Sequence, residues 1–589
     1  MCGIVGYAGN IETACGKPLE VCLQGLERLE YRGYDSAGVA LTAPGMDKVV
    51  VRKKAGRLKN LVEDIERKPM PLATVGIGHT RWATNGEPSD VNAHPHTSMD
   101  GKVAIIHNGI IENASQLRLD LQAEGYRFAS ATDTEVAAKL LGKIVDKIIA
   151  DEGKPDLFKA VRRMARMLEG AFTILATDCR QPDIVVGARH DSPLVVGLGE
   201  GENFLGSDVA AFVAYTKRAM EVDQDQAVCV SADKVIVTDF DGNVVENPKT
   251  YTVDWDASSA EKRGWHSFKD KEIHEDPAAV QRTLLGRFDA NDGITLDEVR
   301  IDEHDFKAID KIIVVACGTA SYAGQVAKYA IEHWVRIPVE IELAHEFRYR
   351  DPILTPRTLV VAISQSGETM DTLMALRHAR EQGSKVLAIC NTQGASIPRE
   401  SDAVLYTHAG PEVAVASTKA FVAQITAAYL LGLYLAQVKG AMFRDEIHQV
   451  LDSLKDMPRK IQWVLDTQPK TIQAAAERMV NANSFLFLGR HVGYPVALEG
   501  ALKLKEIAYT FTEGFAAGEL KHGPIALVDE GEPVVFIVPP QRGRNVLHAK
   551  VISGIEEVKA RGAYIIAVAE QGDPDVERYA DVVFWRPAC

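Results

Sequence analysis

Several features that would place this chain outside the cell or on nucleic acid are scarce or missing. Only eight of 589 residues are cysteine, with no CxxC pair and no regular spacing. That pattern argues against a disulfide framework and favours a reducing, cytoplasmic setting. The N-terminus has neither a positively charged stretch nor a long apolar one, so no secretory signal is predicted. With a net charge of −15 and no dense basic run, nucleic acid is not an expected partner.

Composition otherwise describes an ordinary globular protein of about three or four domains, at ~150 residues each. Hydrophobic residues make up 46% of the chain and charged residues 25%. One segment, 420–438, carries no charge and is long enough to span a membrane. It contains Gln424, Gly432 and Gln437, which favour a buried helix in a large α/β core. We therefore expect no membrane partner.

A cysteine, Cys2, follows the initiator methionine. Removal of the methionine would give Cys2 a free α-amine beside its thiol. The amine has an unperturbed pKa of ~7.7–8.0, so it can take the thiol proton directly or through a water. One residue would then serve as both nucleophile and base. Taken alone, a cysteine at this position is more simply the start of a strand.

Four motifs downstream change that interpretation. They read LEYRGYDSAG at 29–38, GIGHTRWATNGEP at 76–88, HNG at 107–109 after the apolar strand 103–106, and SATDTE at 130–135. Together with Cys2 they closely resemble the N-terminal-nucleophile glutamine amidotransferases, and best the glucosamine-6-phosphate synthase family. The resemblance runs from Cys2 to about residue 240. It implies an αββα sandwich that hydrolyses glutamine through a thioester.

The resemblance also assigns roles for the chemistry at the amide. Cys2 attacks the amide carbon of glutamine. The side-chain NH2 of Asn108 and the backbone N–H of Gly109 form the oxyanion hole, on a turn that follows a strand.

A second group of residues would hold the amino acid itself. Arg81 has the planar fork that pairs with the α-carboxylate, and Asp133 pairs with the α-ammonium. Trp82 and Thr84 line the pocket, with Trp82 as a gate against water. Outside this set of motifs, Arg81 and Asp133 would be interpreted as an ordinary surface ion pair.

Four histidines crowd the same region: His79, His94, His96 and His107. Imidazole is the commonest metal ligand, so a metal site is one interpretation. Pro95 separates two of the four, no cysteine pair is near, and the resembled family uses no metal here. We therefore expect these histidines to support the site from loops and from behind it, and predict no metal and no organic cofactor.

The second half of the chain is an internal repeat. Segment 311–318 parallels 484–489, 358–363 parallels 533–538, and 386–389 parallels 564–568. Buried apolar strands alternate with amphipathic helices, which predicts a parallel sheet with helices on both faces. The pattern resembles the sugar isomerase fold, a flavodoxin-like doubly wound sheet, in two copies. The predicted order is an amidotransferase domain at 2–240, a linker at 241–290, and sugar isomerase domains at 291–440 and 460–589.

The first copy carries a candidate phosphate loop. SQSGET at 364–369 follows a strand and precedes a helix predicted from about residue 370 to 381. Hydroxyls and free N–H groups at a helix N-terminus make a phosphate cradle, and ligands of such sheets bind at the carboxyl ends of strands. The second copy has PPQRGR at that place, where the prolines remove donors. One phosphate site per chain is therefore predicted, although a serine-rich helix cap has the same spacing.

By resemblance, this site binds fructose 6-phosphate. The phosphate contacts would come from Ser364, Gln365, Ser366 and Thr369, and the other sugar contacts from Thr319, Val415 and Ser417. The family's usual serine after Thr319 is Ala320 in this chain, which puts one hydrogen bond in doubt.

The second copy supplies acid–base groups. Glu499, Lys503 and Glu506 share one face of a helix, and the apolar Ile507 indicates that this helix is partly buried. An exposed salt-bridged stripe would show the same spacing. The resemblance makes Glu506 the base that moves a proton between C1 and C2, with Lys503 orienting it, and makes His522 the group that opens the sugar ring across a dimer interface.

The second copy ends earlier than the first. At the near-constant offset of the repeat, Gly410 lies opposite the last residue, Cys589, so no helix matches 420–438. The resembled synthases continue into a tail with a Schiff-base lysine, which no residue here matches. We expect either a fragment or a chain impaired as a synthase.

Three functions remain open from the sequence. The first is a two-step enzyme that hydrolyses glutamine, passes ammonia inside the protein, and converts fructose 6-phosphate to glucosamine 6-phosphate as a homodimer. The second is a sugar-phosphate-binding regulator with residual glutaminase activity, which the missing tail favours. The third, another amidotransferase such as an asparagine synthetase or a purine enzyme, is disfavoured by the repeat.

Overall fold

The chain divides into two compact units, Met1–Arg263 and Gly264–Cys589. A computed structural model describes residues 2–10, 17–30, 33–83, 86–253, 264–289, 293–296, 299–542 and 546–588. Because the division falls near residue 263, the segment predicted as a linker contributes to both units. Its beginning adds the strand Thr250–Thr252 to a sheet of the first unit, and its end forms two helices of the second, Phe268–His274 and Asp276–Leu284.

The first unit is built from two antiparallel sheets. Its strands are β1 (Gly3–Gly9), β2 (Ser36–Thr42), β3 (Val50–Ala55), β4 (Val75–Arg81), β5 (His96–Thr97), β6 (Val103–Gly109), β7 (Phe172–Asp178), β8 (Gln181–His190), β9 (Val195–Leu198), β10 (Glu202–Gly206), β11 (Arg218–Glu221), β12 (Gln226–Ser231), β13 (Val235–Asp239) and β14 (Thr250–Thr252). The eight-stranded sheet has the order β14-β11-β9-β10-β1-β4-β2-β3, and the six-stranded sheet the order β13-β12-β8-β7-β6-β5.

Helices cover the outer faces of both sheets. They are α1 (Lys17–Leu29), α2 (Leu58–Arg67), α3 (Ala114–Ala123), α4 (Asp133–Glu152) and α5 (Leu157–Ala165). Along β1, Ile4 and Ala8 face the core between the sheets, whereas Val5 and Tyr7 face the helix α1. This alternation follows from the two-residue period of a strand. A third core joins the other sheet to α4 and α5, which completes the predicted αββα sandwich.

Strand pairing brings the sequence motifs of this unit to one end of the sheets. The antiparallel register of β1 and β4 pairs Gly3 with Thr80, so Cys2 lies beside the end of β4. The HNG motif was predicted to lie on a turn after its strand. Instead, it continues the strand and pairs with β7 as far as Gly109. Gly109 has φ +120°, and a Cβ there would lie 1.9 Å from the carbonyl oxygen of Ala171. This position therefore requires glycine.

The second unit contains the predicted repeat as two five-stranded parallel sheets. The strands are β15 (Lys311–Ala316), β16 (Val339–Leu343), β17 (Thr358–Ser364), β18 (Lys385–Cys390) and β19 (Ala403–Tyr406), then β20 (Ser484–Gly489), β21 (Phe511–Ala516), β22 (Pro533–Ile537), β23 (Tyr564–Glu570) and β24 (Val582–Arg586). Their orders are β16-β15-β17-β18-β19 and β21-β20-β22-β23-β24. Both have the 2-1-3-4-5 order of flavodoxin-like folds, as predicted.

Both faces of the first sheet of this unit are covered, in two separate cores, whereas the last two helices of the unit contribute to the core of the second sheet. The helices of this unit follow in chain order. They are α6 (Phe268–His274), α7 (Asp276–Leu284), α8 (Glu303–Ala308), α9 (Gly318–Val335), α10 (Ala344–Phe347), α11 (Met370–Glu381), α12 (Ser396–Glu400), α13 (Lys419–Lys439), α14 (Arg444–Thr467), α15 (Pro469–Arg478), α16 (Gly493–Ala508), α17 (Val546–Lys559) and α18 (Pro574–Tyr579). Among the described residues, α13 is the one helix long and apolar enough to cross a membrane. It is mostly buried and packs against α7 and α9.

Candidate functional site

The side chain of Cys2 lies against the backbone of Trp82, the residue that follows β4. Its Sγ accepts a hydrogen bond from the backbone N–H of Trp82 at 3.2 Å and lies 3.6 Å from the carbonyl oxygen of the same residue. Burial raises the pKa of the Cys2 thiol, whereas the Trp82 N–H and the charge of Arg81 act in the opposite direction. The thiol therefore needs a nearby base to become a nucleophile at neutral pH.

Asn108 is held beside Cys2 in a fixed orientation. Its Nδ2 donates to the carbonyl oxygen of Cys2 at 2.8 Å, and its Oδ1 lies 3.0 Å from Nε2 of His79. The same Nε2 lies 3.0 Å from the carbonyl oxygen of His107. Since both partners are oxygens, Nε2 of His79 must carry the proton. His79 thus turns the NH2 group of Asn108 toward Cys2, as an oxyanion donor requires.

The two candidate groups for the charges of an amino acid are buried. Arg81 is 3% exposed and Asp133 is 9% exposed, so neither is the surface residue of the simpler interpretation. Nη2 of Arg81 donates to the carbonyl oxygen of Gly86 at 3.0 Å. Burial lowers the pKa of Arg81, and the charges of Cys2, Asp133 and Asp35 oppose this. Asp133 accepts hydrogen bonds from the backbone N–H groups of Ile111 and Thr134, which fix its carboxylate at the start of α4.

Trp82 occupies the exposed rim of this site. Its side chain is 43% exposed, and its ring meets that of Tyr34 edge to face at 5.3 Å. The backbone of Gly33 packs so closely on Arg81 and Trp82 that a Cβ would lie 2.6–2.9 Å from their backbone atoms. Thr84, predicted to line the same pocket, lies outside the described residues.

The four histidines form a buried cluster behind Asn108. The rings of His79 and His94 are 4.2 Å apart, and those of His94 and His96 are 5.2 Å apart. Burial lowers the pKa of each, that of His79 to about 3. Among the described residues, the side-chain groups whose ligand atoms converge as a metal requires do not include these four. The cluster is therefore a neutral support for the site.

The predicted phosphate loop forms a compact turn at the end of β17. Oγ of Ser364 lies 3.0 Å from Oγ1 of Thr369 and accepts a hydrogen bond from the N–H of Gly367 at 3.0 Å. Oγ of Ser366 accepts from the N–H of Glu368 at 3.2 Å. Gly367 has φ +67°, and a Cβ there would meet Ala395 at 2.6 Å.

Two of the loop's hydroxyl side chains, Ser366 and Thr369, and the side chain of Gln365 are half-buried, so they remain accessible in front of α11. The loop follows β17, whose neighbours are β15 and β18. Since β15 and β17 flank the reversal of strand order, the loop lies at the topological switch point where open sheets bind ligands. In the second copy the matching loop includes 543–545, which lie outside the described residues.

The helix α16 brings a charged group of the second sheet to Thr319 of the first. Nζ of Lys503 donates to Oγ1 of Thr319 at 2.9 Å and to Oε2 of Glu506 at 2.8 Å, and lies 3.5 Å from Oε1 of Glu499. Thr319 in turn donates to Glu499 at 3.2 Å. Lys503 is therefore saturated with oxygen partners, whereas Glu506 keeps about a third of its side chain exposed (32%).

Glu499 is the buried member of this group. The sequence interpretation placed it on the same helix face as Lys503 and Glu506 but assigned it no role in the site. It is 6% exposed, and burial raises its pKa to about 7, against the lowering effect of Lys503 and Thr319. Its Oε2 has no hydrogen-bond partner among the described residues. The four-residue spacing from Lys503 was the one sequence signal for it. The helix α16 is partly buried, although Ile507, which indicated this in the sequence, is itself 51% exposed.

Val415 and Ser417 lie on the segment that precedes α13. Val415 is 46% exposed, and Oγ of Ser417 donates to Oε2 of Glu412 at 2.8 Å. Lys269, which the sequence did not single out, donates to the carbonyl oxygen of Ala416. No sequence signal links two residues so far apart in the chain.

His522 is the candidate that remains isolated. It ends a short 3-10 helix, Glu519–His522, and it is exposed. Within the described part of the chain, no hydrogen bond or ion pair joins its side chain to Lys503 or Glu506. The structure thus brings together Thr319, Lys503 and Glu506, and leaves His522 outside this contact network.

Fold and site together define a class of protein: a glutamine amidotransferase joined to a pair of sugar isomerase domains. The glutamine amidotransferase domain family matches residues 79–214, and the SIS domain family matches residues 306–434 and 478–588.

Curated relatives specify the family. The glutamine–fructose-6-phosphate aminotransferase [isomerizing] of Corynebacterium efficiens is 61% identical over 100% of this chain and 93% of its own length. The protein of that name from Streptomyces coelicolor is 58% identical over the same shares of the two chains. The solved C-terminal domain of glucosamine-fructose-6-phosphate aminotransferase from Francisella tularensis is 38% identical, with a TM-score of 0.52, over 56% of this chain and 91% of that one. The chain belongs to the family of isomerizing glutamine–fructose-6-phosphate aminotransferases.

Proposed function

We propose that this protein transfers the amide nitrogen of glutamine to fructose 6-phosphate and isomerises the product to glucosamine 6-phosphate, releasing glutamate. The observation that carries the proposal is the full-length identity to relatives of that name. The geometry at Cys2 and at α16 supports it. The alternative of a sugar-phosphate-binding regulator gains no support from the comparisons.

In the glutamine half-reaction, the proposed nucleophile is the thiolate of Cys2. Cleavage of the peptide bond before Cys2 frees an α-amine that takes the thiol proton and offsets the effect of burial on the thiol pKa. The Nδ2 of Asn108 and the N–H of Gly109 stabilise the negative oxygen of the tetrahedral intermediate. Loss of ammonia leaves a thioester, which water hydrolyses to glutamate.

Recognition of glutamine in this proposal uses the buried charges. The guanidinium of Arg81 pairs with the α-carboxylate and Asp133 with the α-ammonium, while Trp82 and Thr84 close the pocket. Asp133 is supported in this role because two backbone N–H groups already fix its carboxylate.

In the sugar half-reaction, the loop Ser364, Gln365, Ser366 and Thr369 binds the phosphate, and Thr319, Val415 and Ser417 contact the sugar. Glu506 moves the proton between C1 and C2. Lys503 positions Glu506 through the 2.8 Å contact and balances its charge. The partial exposure of Glu506 supports this choice over Glu499, which is buried.

We propose further that the protein is a cytoplasmic homodimer joined through its sugar isomerase domains, at 291–440 and 460–589, with the amidotransferase domain at 2–240. The cysteines among the described residues are all free thiols, in keeping with a reducing compartment. Exposed apolar side chains near the end of α16, Tyr509 at 70% and Phe511 at 63%, are candidates for the dimer contact. His522 would then open the sugar ring in the partner's site.

The test is to measure glutamate and glucosamine 6-phosphate together, with glutamine and fructose 6-phosphate as substrates. We expect both products in equal amounts, and neither from Cys2→Ala. Cys229→Ala, which removes a half-buried thiol of β12, is the matched control and should retain both. Glutamate release without any glucosamine 6-phosphate, despite bound sugar phosphate, would replace the proposal with the regulator.

A further inference from the structure

A second group of reactive side chains lies in the first sugar isomerase sheet, apart from the residues assigned above. Ligand atoms of Cys317, His345 and Asp371 lie within 4.8 Å of one another. Cys317 follows β15, His345 lies on α10 after β16, and Asp371 lies in the first turn of α11 after β17. Because β16, β15 and β17 are adjacent in the sheet, their carboxyl ends bring the three side chains to one edge.

The three side chains form a ligand set of recognisable chemistry. A thiolate, an imidazole and a carboxylate together favour zinc and similar borderline cations over magnesium or calcium. One thiolate and one carboxylate carry two negative charges, which a divalent cation neutralises. Zinc bonds of about 2.0–2.3 Å in a tetrahedral arrangement place ligand atoms roughly 3.5 Å apart. The distances between ligand atoms, which are at most 4.8 Å, therefore need to shorten by about 1.3 Å at most.

Burial raises the pKa of the Cys317 thiol, but hydrogen-bond donors already surround the sulfur and a cation can enter. The hydroxyl of Thr372, whose Oγ1 lies 3.9 Å from Sγ, and the backbone N–H groups of Ala344 and His345 are directed at the sulfur and act against this rise. Burial acts more strongly in the opposite direction, and so does the charge of Asp371, so a metal must displace the thiol proton. His345 and Asp371 are exposed and Cys317 is half-buried, which leaves a path from solvent.

We propose that Cys317, His345 and Asp371 form a binding site for a zinc-class divalent cation. The protein supplies three ligands, and water or a substrate oxygen completes the fourth position. Cys317 lies two residues before Thr319, and Asp371 lies two residues after Thr369. The cation would tie together the segments that carry candidate sugar contacts, so its occupancy provides a means of adjusting that site.

Among the described residues, the ligand atoms of one other cluster, His548 with Asp573 and Asp575, are equally close together, but this cluster has a structural explanation. Nε2 of His548 lies 2.7 Å from Oδ2 of Asp573, whose Oδ1 accepts from the N–H groups of Asp575 and Val576 at the start of α18. This buried pair caps a helix.

The experiment is a cobalt(II) and zinc titration of the full chain carrying Cys2→Ser, so that the other candidate reactive thiol is absent. Cobalt bound through a thiolate gives a charge-transfer absorption band that a carboxylate or imidazole site lacks. We expect one equivalent to produce the band and zinc to abolish it by displacement. Cys317→Ser should lose the band, and His345→Gln and Asp371→Asn should weaken binding at least tenfold.

His304→Gln is the matched control, since His304 is an exposed histidine on α8 and should leave binding unchanged. His345→Gln replaces an exposed side chain, so it keeps the test informative if Cys317→Ser does not fold. The band's absence in the parent chain, its survival in Cys317→Ser, or equal affinity in His345→Gln would each overturn the proposal. None of these readouts depends on enzymatic activity.

Discussion

Replacement of Asn108 by alanine is the sharpest test of the proposed oxyanion hole. Two hydrogen bonds fix the amide of Asn108, one from its Nδ2 to Cys2 and one from His79 to its Oδ1. Alanine removes a donor that stabilises the intermediate, and loss of one such donor lowers kcat by ~10²–10³, which corresponds to about 2.7–4 kcal/mol. We expect the KM for glutamine to change much less, because the oxyanion forms only during the reaction.

The same substitution should cost little stability. After truncation, Nε2 of His79 still has the carbonyl oxygen of His107 at 3.0 Å, so no buried donor loses its last partner. Loss of one ordinary hydrogen bond costs about 1 kcal/mol. Expressed as a free energy, the loss in kcat should therefore be several times the loss in the free energy of unfolding. A general loss of packing would not separate the two quantities in this way.

The assay measures glutamate release and, separately, denaturant unfolding. Asn108→Asp provides a second variant, because it keeps the acceptor for His79 but lacks the NH2 donor, and it should be as slow as Asn108→Ala. Asn113→Ala is the control, since Asn113 lies just after β6 and its Nδ2 donates to the carbonyl oxygen of Met167, away from Cys2. A loss of less than tenfold in folded Asn108→Ala would refute the assignment of Asn108 as an oxyanion donor.

Four further predictions concern the supports of the two sites. His79→Ala should lower kcat for glutamate release about tenfold, because His79 positions the amide of Asn108. The pH profile of kcat should stay unchanged above pH 5, because the pKa of His79 is about 3; a shifted profile would contradict this. Gly109→Ala should abolish glutaminase activity and lower the melting temperature, since its Cβ would lie 1.9 Å from a carbonyl oxygen; unchanged activity would contradict the observed backbone. Ser364→Ala should weaken fructose 6-phosphate binding tenfold or more, as loss of a hydrogen bond to a charged group costs about 1.5–3 kcal/mol, measured by calorimetry, with glutaminase activity as the control. Burial raises the pKa of Glu272 to about 7, above its model-peptide value of 4.5. The folded state therefore binds a proton that the unfolded state releases, and stability falls as pH rises from about 4.5 to 7. In urea unfolding, the free energy of unfolding of Glu272→Gln should rise relative to that of the native protein by up to about 3 kcal/mol between pH 5 and pH 8, and a constant difference would refute this.

Sequence patterns predicted the elements that are long and buried on a regular period. The helix expected from about residue 370 to 381 begins and ends there, because Leu373 and Leu376 mark one buried face and the loop 364–369 fixes its start. The two-copy repeat was readable because parallel strands, buried on both faces, are continuous apolar runs. Short strands lack such a signal. The two-residue β5 and the three-residue β14 exist only through their pairing partners.

Polar contacts between residues far apart in the chain could not be predicted from the sequence either. Glu272 accepts hydrogen bonds from the N–H groups of Val413 and Ala414, although it reads in sequence as one charge in an exposed polar connector. The sequence did not reveal this contact, because polar composition does not distinguish a solvated charge from a buried one with partners. The same holds for Glu499, whose burial appears only when α16 of one sheet meets Thr319 of the other.

The two candidate sites use burial in opposite ways, and each use suits its chemistry. Behind Asn108, burial lowers the pKa of all four histidines, so in the proposed reaction the negative oxygen of the intermediate meets oriented dipoles that need no reorganisation when it forms. A charged imidazolium there would bind anions in the resting site and would change with pH. At α16 burial instead raises the pKa of Glu499 to about 7, while the more exposed Glu506 accepts a hydrogen bond from Lys503. The proposed proton transfer needs one accessible carboxylate and a neighbour that can take up a proton near neutral pH, and the two carboxylates that lie within 3.5 Å of the Lys503 ammonium group suit these two parts.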